Sequence, residues 1–190
     1  FSAVQDPDLE QYVGTGRKGG LGVFLINRLM DVALKATRCT PAIMVVERAF
    51  GMLEIHEWDK GQVQLGGQAV LDYLGIEERE RMQPRVVSDQ IIRAVEPYHA
   101  QLINKIRYGD QLIAGESLLI LETEPAGYIA FAANEALKAA HVKLIDAQLF
   151  GAYGRLYLSG PEAEIDAARD GAMRGLETIK GREASRGEGR

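Results

Sequence analysis

The chain has 190 residues, of which 46% are hydrophobic and 26% charged, a balance typical of a globular protein. Its net charge of −5 provides no overall positive field to attract nucleic acid or an anionic membrane. No signal peptide is recognisable, and no apolar run approaches the ~20 residues of a membrane helix. The single cysteine, Cys39, excludes a disulfide within the chain and suits a reducing compartment. We therefore expect a soluble cytoplasmic protein made of one large domain or two small ones.

The first half of the chain predicts a helix, two strands and a second helix. The first helix ends in "DVALKATRC", which is followed by the apolar run "AIMVVE" and the alternating run "MLEIHEW". Alternation with a period of two residues predicts a strand with one buried face. After the turn "DKG", a helix is predicted over "QVQLGGQAVLDYLG", with Gly75 at its C-terminal end. Upstream, the basic, glycine-rich segment "GRKGG" lacks the phosphate-loop pattern and is interpreted as a flexible link.

The same order of elements returns in the second half. The motif "ALKA" of the first helix recurs in "NEALKAAHV", and "AFG" between the first two strands corresponds to "LFG" between "KLIDAQ" and "AYGRLYL". The helix "EAEIDAARDGAMRGLETI", with Pro161 in its first turn, completes the copy. A preceding strand, "RVVSDQII", and a helix over "AVEPYHAQLINKIRYG" resemble the start of the chain, "AVQDPDLEQYVGTG". This duplication predicts an α+β fold with helices on one face of a mainly antiparallel sheet.

The two halves differ in one element. The second half carries the strand "SLLILET" ahead of its "ALKA" helix, and the first half has only the glycine-rich segment at that place. Two explanations stay open: the strand was lost, or residues between Gly16 and Gly22 are absent from the chain. The charged segment "GIEERERMQPR" is the natural linker. The predicted organisation is a first domain over residues 1–76, a linker over 77–84, a second domain over 85–182 and a tail over 183–190.

Several separated segments resemble one protein family. The run "LETEPAGYIAFAANEALKAAHVKLIDAQLFGAYGRLYLSG" is similar to the shell domain of bacterial microcompartments (BMC). The segments "VERAFG", "IIRAVEPYHAQLINKIRYGD" and "ILETEPAGY" resemble the tandem-domain, circularly permuted BMC trimers of carboxysome shells and related compartments. The resemblance covers nearly the whole chain except the missing strand and the tail.

This resemblance implies two tandem, circularly permuted BMC domains, each a ferredoxin-like antiparallel sheet flanked by helices. Three chains would form a pseudo-hexameric trimer, either single or stacked as a dimer of trimers. Such a trimer is a structural tile in the facet of a microcompartment shell in the cytoplasm. It contacts other BMC shell proteins at its edges and passes small metabolites through a large gated central pore. The family implies no enzymatic activity, no cofactor, no nucleic acid and no membrane partner.

The candidate gate lies beside the repeated Phe-Gly pairs. Glu47 and Arg48 precede Phe50 and Gly51 in the first half, and the second copy, Phe150 with Gly151, has no such charged pair. From the residues alone, Glu47 and Arg48 are a solvated strand end, and the glycines permit tight turns. The resemblance implies instead that the two Phe-Gly turns surround the pore. It also implies that Arg48 of one chain pairs with Glu47 of the next to close it.

Lys35 and Lys138 occupy the same place in the two "ALKA" helices. The ordinary interpretation is a solvated helix position. In the family, the lysine at this place lies at the edge of the tile and meets its symmetry mate on the neighbour. Retention of the lysine in both halves favours the edge role.

No catalytic or metal-binding pattern is recognisable. His56, His99 and His141 lack ligand-like spacing, and Glu54 with His56 supplies only two ligands. Cys39 has no evident catalytic partner and is expected to be a buried thiol. Two other functions stay open at this stage: a small-molecule-binding regulatory trimer, and an enzyme acting at subunit interfaces.

Overall fold

The computed structural model describes residues 21–47 and 50–183. They form two compact units. One contains the described residues up to Gln83 together with those from Lys180 onward, and the other is Pro84–Ile179. None of the described helices combines the length and the apolar character needed to span a membrane.

The first unit contains two helices and an antiparallel hairpin. Its elements are α1 (Leu21–Ala36), β1 (Thr40–Glu47), β2 (Phe50–His56), α2 (Lys60–Leu74) and a short 3-10 helix (Glu78–Glu80). This order of helix, strand, strand and helix is the predicted one. The segments "AVQDPDLEQYVGTG" and "GRKGG", and with them the question of the missing strand, lie outside the described residues.

Local sequence sets both ends of α2. Asp59 caps its start, where the carboxylate accepts a hydrogen bond from the Gly61 N–H at 2.8 Å. Gly75 ends the helix in the left-handed conformation, with φ at 68°. A side chain at Gly75 would be strained there, so the prediction of a glycine C-cap is confirmed.

The second unit contains the complete set of predicted elements. They are β3 (Arg85–Ile92), α3 (Pro97–Asn104), β4 (Ser117–Glu124), α4 (Tyr128–Ala139), β5 (Lys143–Gln148), β6 (Gly154–Gly160) and α5 (Glu162–Glu177). The four strands form one antiparallel sheet in the order β3-β4-β6-β5. The second half therefore has the order strand, helix, strand, helix, strand, strand and helix, as its sequence predicted.

Helices α4 and α5 cover one face of this sheet. Leu119 and Leu121 of β4 and Leu156 and Leu158 of β6 are fully buried against them. The helices supply small and branched residues to the same core: Ile129, Ala132, Ala136, Ile165, Ala168 and Ala172. Glycine allows the two helices to lie close together, because a Cβ on Gly171 would come within 2.4 Å of the Ala139 side chain.

The short helix α3 lies on the opposite face. Leu118 and Ile120 alternate with Leu119 and Leu121 along β4, and they pack with Ala100 of α3 in a separate cluster. The prediction that the helices lie on one face is therefore correct for α4 and α5 and wrong for α3. The physical reason is the continuous apolar run at the start of β4, which needs cover on both sides.

Leu119 tests the importance of the larger core. Leu119→Ala should lower the free energy of unfolding by about 2–5 kcal/mol, because it leaves a cavity between the sheet and two helices. The matched change Leu137→Ala, at an exposed position of α4, should cost less than about 1 kcal/mol. Thermal melting of the full chain measures both. Equal melting temperatures for the two variants would contradict the assignment of this core.

Candidate functional site

The β1–β2 hairpin carries the first candidate gate. Glu47 is the last residue of β1, is exposed, and lies opposite Phe50, the first residue of β2. Arg48 and Ala49, between them, lie outside the described residues. Phe50 and Gly51 belong to β2, so the prediction that this Phe-Gly pair itself forms a turn is wrong for the first half.

Packing explains the glycine at position 51. Gly51 lies opposite Val46 in the hairpin, in an extended strand. A Cβ at this position would come within 2.2 Å of Cγ1 of Ile26, a buried residue of α1. Gly51 therefore permits the close approach of α1 to the hairpin. A left-handed backbone conformation is not the reason for glycine at this position.

The β5–β6 loop, residues 149–153, carries the second Phe-Gly pair. Here Gly151 is buried and has φ at 95°, so the backbone conformation does favour glycine, as predicted. Phe150 and Tyr153 in the same loop are exposed. The two copies of the Phe-Gly pair thus have different backbone structures, although both lie near a connection between equivalent strands.

An ion pair between the first residue of β3 and the last residue of β4 adjoins the β5–β6 loop. Arg85 donates to Glu124 from Nη2 at 2.5 Å and from Nε at 3.1 Å. Hydrogen bonding and charge interaction with Glu124 raise the pKa of Arg85, and Tyr153 of the loop makes a smaller contribution in the same direction. Sequence analysis missed this pair. Strand register could have found it, since Arg85 and Glu124 lie directly opposite each other.

A second ion pair lies between strands β6 and β4 of the same sheet. Arg155 donates from Nε to Glu122 at 2.7 Å, and these residues are direct partners on β6 and β4. The hydrogen bond to Glu122 raises the pKa of Arg155, against the opposing effect of burial. Both carboxylates are thus engaged by guanidinium groups. The two pairs link neighbouring strands of the sheet, β3 with β4 and β6 with β4.

The two candidate edge lysines are exposed near the C-terminal ends of equivalent helices. Lys35 Nζ lies 2.7 Å from Asp31 in α1, and Lys138 Nζ lies 2.9 Å from Glu135 in α4. A positive charge is favourable in the last turn of a helix. An ammonium group has three donors, so a bond within the helix leaves donors that a neighbouring chain could engage.

The histidines and the cysteine do not form a site in the described part of the chain. No group of three or more His, Cys, Asp or Glu side chains in residues 21–47 and 50–183 is placed to hold a metal ion. His56 ends β2, His99 lies on α3, and His141 precedes β5. Cys39 is buried, as expected for a structural thiol.

Glu116, a residue that sequence analysis did not single out, holds the segment between α3 and β4 in place. Its Oε2 accepts hydrogen bonds from Lys143 Nζ at 2.6 Å, Ser159 Oγ at 2.5 Å and the Ile113 N–H at 3.3 Å. Burial alone would raise the pKa of Glu116, but these hydrogen bonds outweigh it and lower the pKa. The ionised carboxylate therefore ties the segment to β5 and β6.

The lowered pKa gives a pH-dependent prediction. A carboxyl group whose pKa is lower in the folded state stabilises the fold above its unfolded pKa, and this contribution is lost as pH falls through the folded pKa. Glu116→Gln should therefore reduce stability by about 1.5–3 kcal/mol at neutral pH, the usual range for hydrogen bonds to a charged group. The difference from wild type should shrink as pH falls below 4.5, the ordinary value for this group.

Melting temperatures measured from neutral to acidic pH test this contribution. Glu162→Gln, which removes an exposed carboxylate on α5, serves as the control and should cost less than about 1 kcal/mol. A Glu116→Gln deficit that stays constant across the acidic range would contradict the role given to the ionised carboxylate.

Sequence comparison identifies relatives along most of the chain. Residues 20–80 match the family described as the CsoS1D N-terminal domain. The carboxysome shell protein CcmP of Synechococcus elongatus is 47% identical over 158 residues, which cover 83% of this chain and 74% of that protein. The carboxysome shell protein CsoS1D of Hydrogenovibrio crunogenus is 41% identical over 187 residues, which cover 91% of each chain.

Two solved structures of shell proteins from the RMM microcompartment share the fold. The double ringed trimeric shell protein MSM0271 is 38% identical, with a TM-score of 0.80 over 84% of this chain and 79% of that one. The fused permuted hexameric shell protein MSM0275 is 39% identical, with a TM-score of 0.79 over 94% and 95%. These relatives confirm the predicted α+β fold with tandem permuted BMC domains, and the structural, non-enzymatic role. The chain therefore belongs to the family of tandem-domain shell proteins of bacterial microcompartments that includes CcmP and CsoS1D.

Proposed function

We propose that three copies of this chain form a pseudo-hexameric tile of a microcompartment shell in the cytoplasm, with a gated pore on the threefold axis. The observation that carries this proposal is the 38% identity, over most of both chains, to a shell protein described as trimeric and double ringed. Other shell proteins would contact the edges of the tile, and small metabolites would pass through its centre.

The duplication supports a ring of three chains. A ring with six equivalent positions can be closed by six single domains or by three duplicated chains. We assign the two domains to residues 1–76 and 85–182, with 77–84 as the linker. Duplication also allows the two copies to diverge, and the structures of the two Phe-Gly regions differ in this way.

The gate proposal rests on the exposed end of β1. In a trimer, the three copies of Glu47 and of Arg48 would gather near the axis if the β1–β2 hairpins point toward it. Three like charges repel one another, and pairing each arginine with a neighbouring glutamate removes that repulsion through charge-assisted hydrogen bonds. Exposed pairs contribute about 0–1 kcal/mol each, so closed and open states would differ by only a few kcal/mol. A permeating metabolite that binds one state preferentially can shift such an equilibrium.

Passage through the pore would be passive. A pore selects by its diameter and by the charges and hydrogen-bonding groups that line it. Phe50, Gly51, Phe150 and Gly151 are proposed to surround the opening. In the second half, the exposed Phe150 lies in the β5–β6 loop beside the Arg85–Glu124 pair, which would hold this part of the rim in place.

The edge proposal is tested by charge reversal of both lysines. Lys35→Asp with Lys138→Asp should leave trimers of about 63 kDa, three chains of 20.9 kDa, because the exposed helix pairs contribute little to folding. The variant should fail to form sheets or to enter shells, since each edge contact would lose its ammonium donors. Light scattering measures the trimer, and electron microscopy of sheets measures the tiling.

A charge-matched control is the pair Lys60→Asp with Arg174→Asp, which changes exposed residues of α2 and α5. It should form sheets like the wild type. Normal sheets from the Lys35/Lys138 variant would show that the edge assignment is wrong. A wild-type chain that stays monomeric at micromolar concentration would contradict the tile itself.

The gate is tested by removing both charges. Glu47→Ala with Arg48→Ala should preserve the trimer and leave the axial hole open in every particle, because no pair remains to close it. Cryo-electron maps of variant and wild type measure the opening. Gln148→Ala, at the equivalent strand end of the second half, is the control and should retain the closed class. A hole as narrow as that of the closed wild type would exclude these two residues as the gate.

A further inference from the structure

The segment assigned as the linker, residues 77–84, has a defined local structure. It contains the short 3-10 helix, and the N–H of Glu77 donates to the Glu80 carboxylate at 2.6 Å. The N–H of Arg81 closes the turn by donating to the Glu78 carbonyl at 3.2 Å, and the Arg81 guanidinium lies 2.9 Å from the Glu78 carboxylate. A reciprocal cap of this kind holds the first turn of a helical segment in place.

The residues that follow α5 pair with this linker. The N–H of Arg182 donates to the carbonyl of Arg81 at 2.9 Å, and the N–H of Gln83 donates to the carbonyl of Arg182 at 3.0 Å. Met82 and Arg182 thereby form a parallel bridge. We call residues 180–182 the C-terminal strap.

Two arginine side chains add hydrogen bonds to the same contact. Nε of Arg81 donates to the carbonyl of Lys180 at 3.1 Å, and Nε of Arg182 donates to the carbonyl of Glu80 at 3.0 Å. Each arginine therefore reaches across to the backbone of the other segment. A hydrogen bond from a charged donor is stronger than one between neutral groups.

Close contact between the two backbones explains the glycine at position 181. A Cβ on Gly181 would come within 2.2 Å of the Arg81 carbonyl oxygen and within 2.8 Å of the Gln83 nitrogen. Both are backbone atoms, which cannot move aside as the end of a flexible side chain can. Met82, at the centre of the contact, is only 3% exposed. The strap and the linker are therefore packed against each other.

The place of this contact in the chain gives it a consequence. The chain enters the second unit at Pro84 and leaves it after Ile179, so the linker and the strap are the two segments that flank that unit. A connecting segment without partners can rotate about each φ and ψ, and hydrogen bonds to a second segment remove this freedom. The strap therefore restricts the backbone of the linker.

We propose that the C-terminal strap locks the linker in one conformation, so that both domains of one chain enter the same ring. The inference rests on the proposed trimeric tile and adds the residues that control its closure. Equivalent domains can be exchanged between chains when the segment that joins them is free to move, and such exchange gives open assemblies in place of closed rings. A linker fixed in advance favours closure, because no further ordering is needed when the ring forms.

The variant Gly181→Val tests the lock, because the added side chain cannot fit against the backbone of Arg81. Hydrogen exchange over residues 77–83 of the full chain, measured by mass spectrometry, should become about tenfold or more faster, while strands β4 and β6 keep their protection. Glu183→Val places the same side chain two residues further on, at an exposed position, and should exchange like the wild type. Unchanged exchange over residues 77–83 in Gly181→Val would overturn the lock.

A second variant reaches the same contact by a different route. Arg182→Pro removes the N–H that donates to the Arg81 carbonyl and should also speed exchange over residues 77–83. Slow exchange in this variant would show that the strap does not hold the linker.

Particle mass measures the consequence for the ring. The wild type and Glu183→Val should form particles of three chains of 20.9 kDa, or whole multiples of three, with a mass that does not change with concentration. Gly181→Val and Arg182→Pro should give mixtures whose mass rises with concentration, because the domains of one chain join different rings. Particles of wild-type mass from both variants, together with fast exchange of their linkers, would overturn the role in closure.

The two measurements separate this inference from the proposed tile. Fast exchange over residues 77–83 in the wild type would overturn the lock, and trimers of the same protein would leave the tile intact. A monomeric wild type would contradict the tile and the role in closure, and the exchange of its linker would still decide whether the strap locks it.

Discussion

Burial of strand β4 on both faces is the constraint from which the second unit is built. Leu119 and Leu121 face α4 and α5, and Leu118 and Ile120 face α3. A strand with water on one side would need only one of these layers. Helix α3 covers the second face of the sheet. A long connection is therefore needed to lead the chain from α3 back to β4. That connection is held in place by the hydrogen bonds of Glu116 and Asn104.

The duplicated hairpin shows how one sequence motif serves two structural purposes. Gly51 removes a clash with Ile26 and stays in an extended strand, whereas Gly151 adopts a left-handed conformation in a five-residue connection between β5 and β6. The difference follows from neighbours outside the motif: a tight hairpin under α1 in one case, and a loop beside the Arg85–Glu124 pair in the other. Divergence of this kind suits a ring in which only alternate positions carry the proposed gate.

Repetition makes weak surface contacts sufficient for assembly. Exposed ion pairs and small apolar patches each contribute little in a single chain. In a closed ring every contact occurs three times, and contacts formed together within one particle act at a high effective concentration. The proposed tile would therefore combine a stable ring with an edge and a gate that respond to modest changes in charge or ligand.

The sequence alone determined the order of the elements in the described part of the chain, the helix end at Gly75 and membership of the family. These features depend on local periodicity, turn chemistry and repeated motifs, which are readable without knowing distant neighbours. Tertiary structure decided which face α3 covers, why position 51 is glycine, and how Glu116 and the Arg85–Glu124 pair hold their loops. Each of these depends on residues far apart in the chain, so strand register and packing must be known before the contact can be recognised. The roles proposed for Glu47, Lys35 and Lys138 follow neither from the sequence alone nor from the tertiary structure of one chain, because they require surfaces of a second chain.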